Sequence, residues 1–233
     1  SYPKQLNRSL VSSSSKSKFY LSTTLKSFLS IIQKPQVLKI LNTSAIHTAY
    51  LRAIKDYIQL LMVNIALLSP IMLGLEQEKK IGIFIGVIYF LIYLMTSKAS
   101  KLSSKVASKS KLNISNISLL IGLAFGLVSG LFYSYGLWVI SLMAFVGIYI
   151  VENIRKPILT GLIADQVPND ILTSVISAQS LWRTFLTAIL ALMFGLVADA
   201  YGIGASLMMV SGFLIFFTVV LNVIIARKAK VKI

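Results

Sequence analysis

The sequence predicts an all-α membrane protein with six transmembrane helices and a short cytoplasmic amphipathic helix before them. Hydrophobic residues make up 56% of the 233 residues and charged ones only 13%, with a mean hydropathy of +0.82. A soluble domain carries about a quarter charged residues. The apolar residues also gather in six long runs between short polar segments, which is typical of helices that cross a bilayer.

Residues 1–43 are predicted to form a cytoplasmic basic linker, and 44–233 the six-helix transmembrane bundle. The linker begins with a polar, Ser-rich and cationic stretch. Apolar residues then recur at helical spacing over 19–32, Pro35 interrupts the pattern, and a second short helix is predicted at 37–41. A cationic amphipathic helix directly before a span favours a position on the inner membrane surface.

The first predicted span contains nineteen residues without a charge, about 28 Å of helix. A start near residue 45 would also bring Arg52, Lys55 and Asp56 into the membrane. Turns are predicted around Gly136 and Pro168, and a charged elbow at Glu152, Arg155, Lys156 and Pro157. The six spans cover residues 57–75, 81–96, 114–132, 137–151, 171–197 and 203–226.

The basic residues fix the predicted orientation of the bundle. Twenty of the 23 Lys and Arg residues lie before the first span, in 97–112, in 152–170 or in the tail, whereas the opposite face has Lys79 and Lys80. Short cytoplasmic loops carry an excess of Lys and Arg. We therefore expect an integral protein of the plasma (inner) membrane with both termini in the cytoplasm.

Small residues mark two helices for close packing. Gly82 and Gly86 are four residues apart in the second span, and Gly122, Gly126 and Gly130 form a double GxxxG pattern in the third. Such stripes let membrane helices approach closely. Glycine is also common in membrane helices for no special reason, so the triple in the third span is the more informative pattern.

Several kinds of site are excluded or not expected. The chain has no cysteine and one histidine, His47, so disulfides and thiolate or multi-histidine metal sites are excluded. Motifs of metalloproteases, serine hydrolases and nucleotide-binding loops are missing. We expect no enzyme activity, no cofactor and no metal. The basic charge lies between apolar runs, which favours the lipid bilayer and not nucleic acid as its partner.

The order of these parts resembles the carboxyl-terminal half of a major facilitator superfamily transporter. The resemblance covers nearly the whole chain and rests on a basic lead-in and on loose motifs. These are Tyr57-Ile-Gln59, the lysine-rich 97–112, Arg155-Lys-Pro157, Val167-Pro168, Ser177-Ala-Gln179-Ser180-Leu181 and Gly195-Leu-Val-Ala198-Asp199.

The resemblance implies half of a secondary active transporter, which moves a small solute by alternating access and is coupled to protons. Its partners would be a small-molecule substrate and a second six-helix unit, either an amino-terminal half missing from this chain or a second copy. Alone, the chain is expected not to transport. The alternative is a non-transporting membrane scaffold or assembly partner that keeps a transporter-like bundle.

Arg183 is the sharpest candidate site residue, because it lies inside an apolar run. An arginine within a span costs about 3 kcal/mol and should face a partner or water. Gln179 lies one turn before it. The hypothesis is that Arg183 faces a central cavity and contacts an anionic group or an acid such as Glu152. A structural salt bridge, or a side chain reaching to the inner surface, is the alternative.

The other candidates lie mainly in the first span. Arg52 and Asp56 are four apart and can pair on one helical face that continues to Gln59. Asp56 is the candidate proton-coupling carboxylate if it lies inside the membrane, and an interfacial residue otherwise. Asn64 is a cavity contact or a helix–helix hydrogen bond. Glu152 is a coupling candidate or a loop-anchoring ion pair, and His47 is interpreted as an interfacial residue without special chemistry.

Overall fold

The computed structural model describes residues 28–31, 33–68, 74, 76–107 and 113–230. Over these residues the chain is helical, with six long helices and no strand. Most of the predicted linker, including 1–27, lies outside the described residues. The helices are α1 Pro35–Leu68, α2 Gln77–Ala107, α3 Asn113–Ser134, α4 Trp138–Gln166, α5 Asn169–Tyr201 and α6 Ile203–Lys230.

Five of these helices, α2 to α6, are long and apolar enough to cross a membrane, and the chain is an integral membrane protein on that ground. α1 does not meet this criterion within the described residues. Arg52, Lys55 and Asp56 interrupt its apolar sequence, and part of the predicted first span, 69–73, lies outside the described part of the chain.

α1 is nevertheless the central helix. It packs against α2, α3, α4 and α5, and many of its side chains are completely buried, among them Ile54, Ile58 and Leu61. The segment 37–41, predicted as a separate short helix, is the first part of α1, because Val37, Ile40 and Leu41 pack against α4 and α5 in one apolar cluster.

The helices run up and down through the bundle. α1 and α5 are parallel, since Asn42 contacts Trp182 near one end and Tyr50 packs on Phe194 further along both helices. α3 and α6 are antiparallel, since Asn116 bonds Asn222 at one end while Gly130 meets Gly204 at the other. The start of α1 and residues 218–222 of α6 therefore share one end of the bundle, where they line a cavity of about 320 Å³.

Two predicted turns are confirmed. Gly136 has a φ of 73°, and its N–H bonds the carbonyl of Tyr133 to close the α3–α4 turn. Val167 is extended before Pro168, as the proline ring requires, and α4 ends there. Gly202, with a φ of 85°, separates α5 from α6.

The predicted charged elbow after residue 151 is wrong. α4 continues without a break from Trp138 to Gln166, through the exposed Pro157. Helix interiors in membranes tolerate proline because neighbouring groups satisfy the freed carbonyl. Glu152 and Arg155 consequently lie inside a helix and face the core, while Lys156 is exposed.

The glycine stripe on α3 is where helices come closest. A Cβ at Gly126 would lie 1.7 Å from the Tyr50 hydroxyl, and one at Gly130 would lie 2.6 Å from the carbonyl oxygen of Gly204. Gly82 and Gly86 on α2 face open space instead, with no atom within 4 Å of an added Cβ among the described residues. The packing prediction is therefore confirmed for α3 and not for α2.

Replacing Gly130 with alanine tests this close approach. The added methyl would press on the backbone of α6, which cannot rotate away as a side chain can, so we expect Gly130→Ala to lower the free energy of unfolding by about 1–3 kcal/mol. The measurement is reversible unfolding of the purified chain in detergent. Gly86→Ala is the matched control and should not destabilise; equal effects of the two substitutions would contradict the packing described.

Candidate functional site

A carboxylate lies buried between α1 and α4. Glu152 is 6% exposed, its Oε2 lies 2.7 Å from Nδ1 of His47, and its Oε1 accepts a hydrogen bond from the hydroxyl of Thr48. His47 is completely buried. Since burying a carboxylate is costly unless it is paired and hydrogen-bonded, these contacts are what keeps Glu152 in the core.

Arg155, one turn further along α4, is also buried and joins three helices. It is 1% exposed. Its guanidinium donates to the Ser118 hydroxyl on α3 at 3.1 Å and to the backbone carbonyls of Thr43 on α1 at 3.1 Å and Ser115 on α3 at 3.2 Å. The planar fork of an arginine suits several acceptors at once. We call His47, Thr48, Glu152 and Arg155 the buried cluster.

This cluster corrects two interpretations made from the sequence. His47, predicted to be interfacial, is a core residue paired with Glu152. Glu152 was expected to be either a coupling residue or a loop-anchoring ion pair; it lies within a helix, so it anchors no loop. The burial of these charges could have been predicted from the sequence, because helical spacing places them on the same side as two apolar residues. All four are buried: Ile148, Glu152, Arg155 and Leu159.

Further hydrogen bonds between helices lie at other levels of the bundle. Tyr50 on α1 bonds Ser211 on α6 at 2.6 Å, and Asn64 donates to the hydroxyl of Tyr133 on α3 at 3.3 Å. Of the two alternatives for Asn64, the described structure has the helix–helix hydrogen bond. These bonds hold α1 against α3 and α6 in a region where apolar burial alone does not drive association.

A second polar region is open to the outside of the bundle. Arg52, Asp56 and Gln59 of α1 are exposed, and Gln179 and Arg183 of α5 are half-buried. Gln59 lies 3.4 Å from the hydroxyl of Tyr89 on α2. The spacing of these residues along each helix puts them on one side of it. We call Arg52, Asp56, Gln59, Gln179 and Arg183 the polar face.

The guanidinium group of Arg183 lacks some of its hydrogen-bond partners on this face. Its Nη2 donates to Ser180 at 2.9 Å, and its buried Nε has no hydrogen-bond partner within the described residues. No ion pair within 4 Å joins Arg183 to Glu152, or Arg52 to Asp56, in the described ranges. The predicted Arg52–Asp56 pair and the contact of Arg183 with an acid are therefore not formed in this conformation.

The polar face offers guanidinium, carboxylate and amide groups that can bind a ligand. No cluster of three metal-ligating side chains occurs in the part of the chain that the structure describes. Comparison with protein-family models, curated proteins and solved structures finds no match. The interpretation of the site therefore depends on its geometry.

The role of Arg155 as a junction of α1, α3 and α4 can be tested by Arg155→Met, which keeps the side-chain length. Two backbone carbonyls would lose their donor and Glu152 its nearby positive charge, so we expect the unfolding free energy in detergent to fall by about 3 kcal/mol. The neighbouring Lys156→Met is the control and should change it by about 0.5 kcal/mol or less. A stable Arg155→Met protein would show that the guanidinium holds no helices together.

Proposed function

We propose that this chain is one six-helix half of a secondary active transporter, resembling the carboxyl-terminal half of the major facilitator superfamily, and that the polar face is its wall of the solute pathway. One observation carries this proposal: the bundle is apolar, yet its polar face presents charged side chains that the other helices do not cover. Lipid is a poor environment for Arg52, Asp56 and Arg183, which are expected to face water or another protein.

The distribution of polar and apolar side chains around α5 supports this assignment. Gln179, Arg183 and Thr187 recur every fourth residue on one side, whereas Leu181 and Leu192 are 75% and 64% exposed and lie on roughly the opposite side of the helix at 100° per residue. Over residues 179–187, α5 therefore has a polar side opposite an exposed apolar side; further along the polar side, Leu190 and Phe194 are buried in the bundle. A helix at the boundary between lipid and a wet pathway has this distribution.

The charge on the polar face favours an anionic solute. The polar face has two arginines, Arg52 on α1 and Arg183 on α5, and one acid, Asp56, which pairs with neither within the described residues. Guanidinium groups bind carboxylates and phosphates by parallel hydrogen bonds. A small organic anion held between the two arginines would supply the missing acceptor for Nε of Arg183.

A second six-helix unit, another half or a second copy, would close the pathway, and rocking of the two units would give alternating access to a site near mid-membrane. The lysine and arginine pattern supports a plasma (inner) membrane location with both termini in the cytoplasm. Proton coupling is part of the proposal, since buried and exposed acids, Glu152 and Asp56, both lie on or beside the pathway.

Anion binding can be measured by thermal unfolding of the full chain in detergent with a panel of small carboxylates and phosphates, and with neutral sugars and amines for comparison. An anion at about 100 times its dissociation constant should stabilise the protein by about 2.7 kcal/mol. We expect Arg183→Ala and Arg52→Ala to lose this stabilisation.

The exposed Lys156→Ala, outside the polar face, should keep the stabilisation. If no class of solute stabilises the protein, or if Arg183→Ala keeps the full effect, the transporter proposal fails and a scaffold becomes the better description.

A further inference from the structure

Two nitrogens of the buried cluster have no hydrogen-bond partner among the described residues, Nη1 of Arg155 and Nε2 of His47. Nδ1 faces Glu152 at 2.7 Å, while Nε2 is buried and has no hydrogen-bond partner among the described residues. Nε2 instead lies against the backbone of α3, where a Cβ added to Gly122 would be 1.9 Å away. Because Gly122 has no side chain, the imidazole packs directly against the backbone of α3, with no space for another group between them.

This geometry suits a neutral imidazole at His47. With Nδ1–H donating to the carboxylate of Glu152, the imidazole is neutral and Nε2 is a bare acceptor. A proton on Nε2 would create an N–H donor facing a helix backbone that has no free acceptor there, and leaving a buried donor unsatisfied carries its full desolvation cost. The packed arrangement therefore suits an unprotonated Nε2.

The surrounding charges lead to the same conclusion. Glu152 and Arg155 on α4 balance each other, and Arg183 on α5 and Arg52 on α1 are positive. Among the described residues, α3 contributes to the cluster the hydroxyls of Ser115 and Ser118 and the carbonyl of Ser115, and no charge. One more proton would leave the buried cluster with a net positive charge. Water around Nε2 would reduce that cost, and a movement of α1 away from α3 would make room for it.

We infer that the His47–Glu152 pair is a proton-binding site whose loading separates α1 from α3 at Gly122. The step takes one proton from water onto Nε2, converts imidazole to imidazolium, and breaks no other bond. Asp56 is less suited to this task, since it is exposed and forms no ion pair with another helix in the part of the chain that the structure describes. Thr48, which bonds Glu152, lies one turn from Arg52 and connects the proton site to the polar face.

The inference deepens the proposed proton coupling and rests on it for its role in transport, but it is tested without any solute. His47 is the one histidine in the chain, so ¹⁵N-histidine labelling of the full chain in detergent or nanodiscs gives a spectrum of this imidazole alone. Cysteine is absent from the sequence, so cysteines introduced at Leu38 on α1 and Ile117 on α3, which are both exposed, can be spin-labelled specifically. The distance between the two labels then reports the separation of α1 from α3.

We expect the neutral Nδ1–H tautomer at high pH, and the imidazolium signal to appear at the same midpoint pH as an increase of about 2 Å or more in the label distance. His47→Gln should keep the short distance at every pH tested. Gly122→Ala, which fills the space of Nε2, should hold the labels apart at every pH. Gly161→Ala on α4, with nothing within 4 Å of its added Cβ in the described structure, should behave as wild type.

Protonation without a distance change would overturn the inference, as would a pH-dependent distance that persists in His47→Gln. A coincident titration together with a failed anion screen would keep the proton site and reject the transporter proposal, so the two can fail separately.

Discussion

A charge inside a hydrocarbon layer needs a partner or water, and this constraint organises the whole bundle. Two groups of charged side chains illustrate it. Glu152 is paired inside the bundle with His47 and Thr48, and Arg155 donates to carbonyls of α1 and α3, although its Nη1 has no hydrogen-bond partner among the described residues. The charges of the polar face are satisfied neither by one another nor by the core. The charges of the buried cluster hold three helices together. The charges of the polar face mark the side of the bundle on which a water-filled pathway is expected.

The small residues of α3 make the inner arrangement possible. Gly122 admits the ring of His47, Gly126 admits the hydroxyl of Tyr50, and Gly130 brings α6 into backbone contact. Larger residues there would push α1 away from α3 and expose Glu152 and Arg155 to lipid. Close helix packing and the burial of the ion cluster are thus one feature of the structure, and a proton that disturbs the cluster would also disturb the packing.

The sequence predicted the membrane class, the turns at Gly136 and Pro168, and the close packing of α3, because apolar runs, prolines and glycine stripes are local signals. It did not predict the pairing of His47 with Glu152, which are 105 residues apart, since such a contact depends on how helices are arranged. Glu152 and Arg155 were interpreted as the end of a helix because the sequence alone does not show which neighbouring helices bury them. Residues 37–41 were predicted as a separate short helix and not as the start of α1, because their contacts with α4 and α5 depend on how the helices are arranged. The open position of Arg52, Asp56 and Gln59 likewise depends on which side of α1 its neighbours cover.

The most direct test of the account asks whether the polar face meets water in the membrane. Single cysteines at Gln59 and Gln179, in a chain that has none, can be treated with a membrane-impermeant thiol reagent in native membranes opened to both sides, with Leu192→Cys on the apolar side of α5 as the control. We expect the cysteines on the polar face to react and Leu192→Cys to remain unmodified. Cysteines at 59 and 179 as unreactive as the one at 192 would mean that this side faces lipid or a dry contact, and the pathway assigned to it would be wrong.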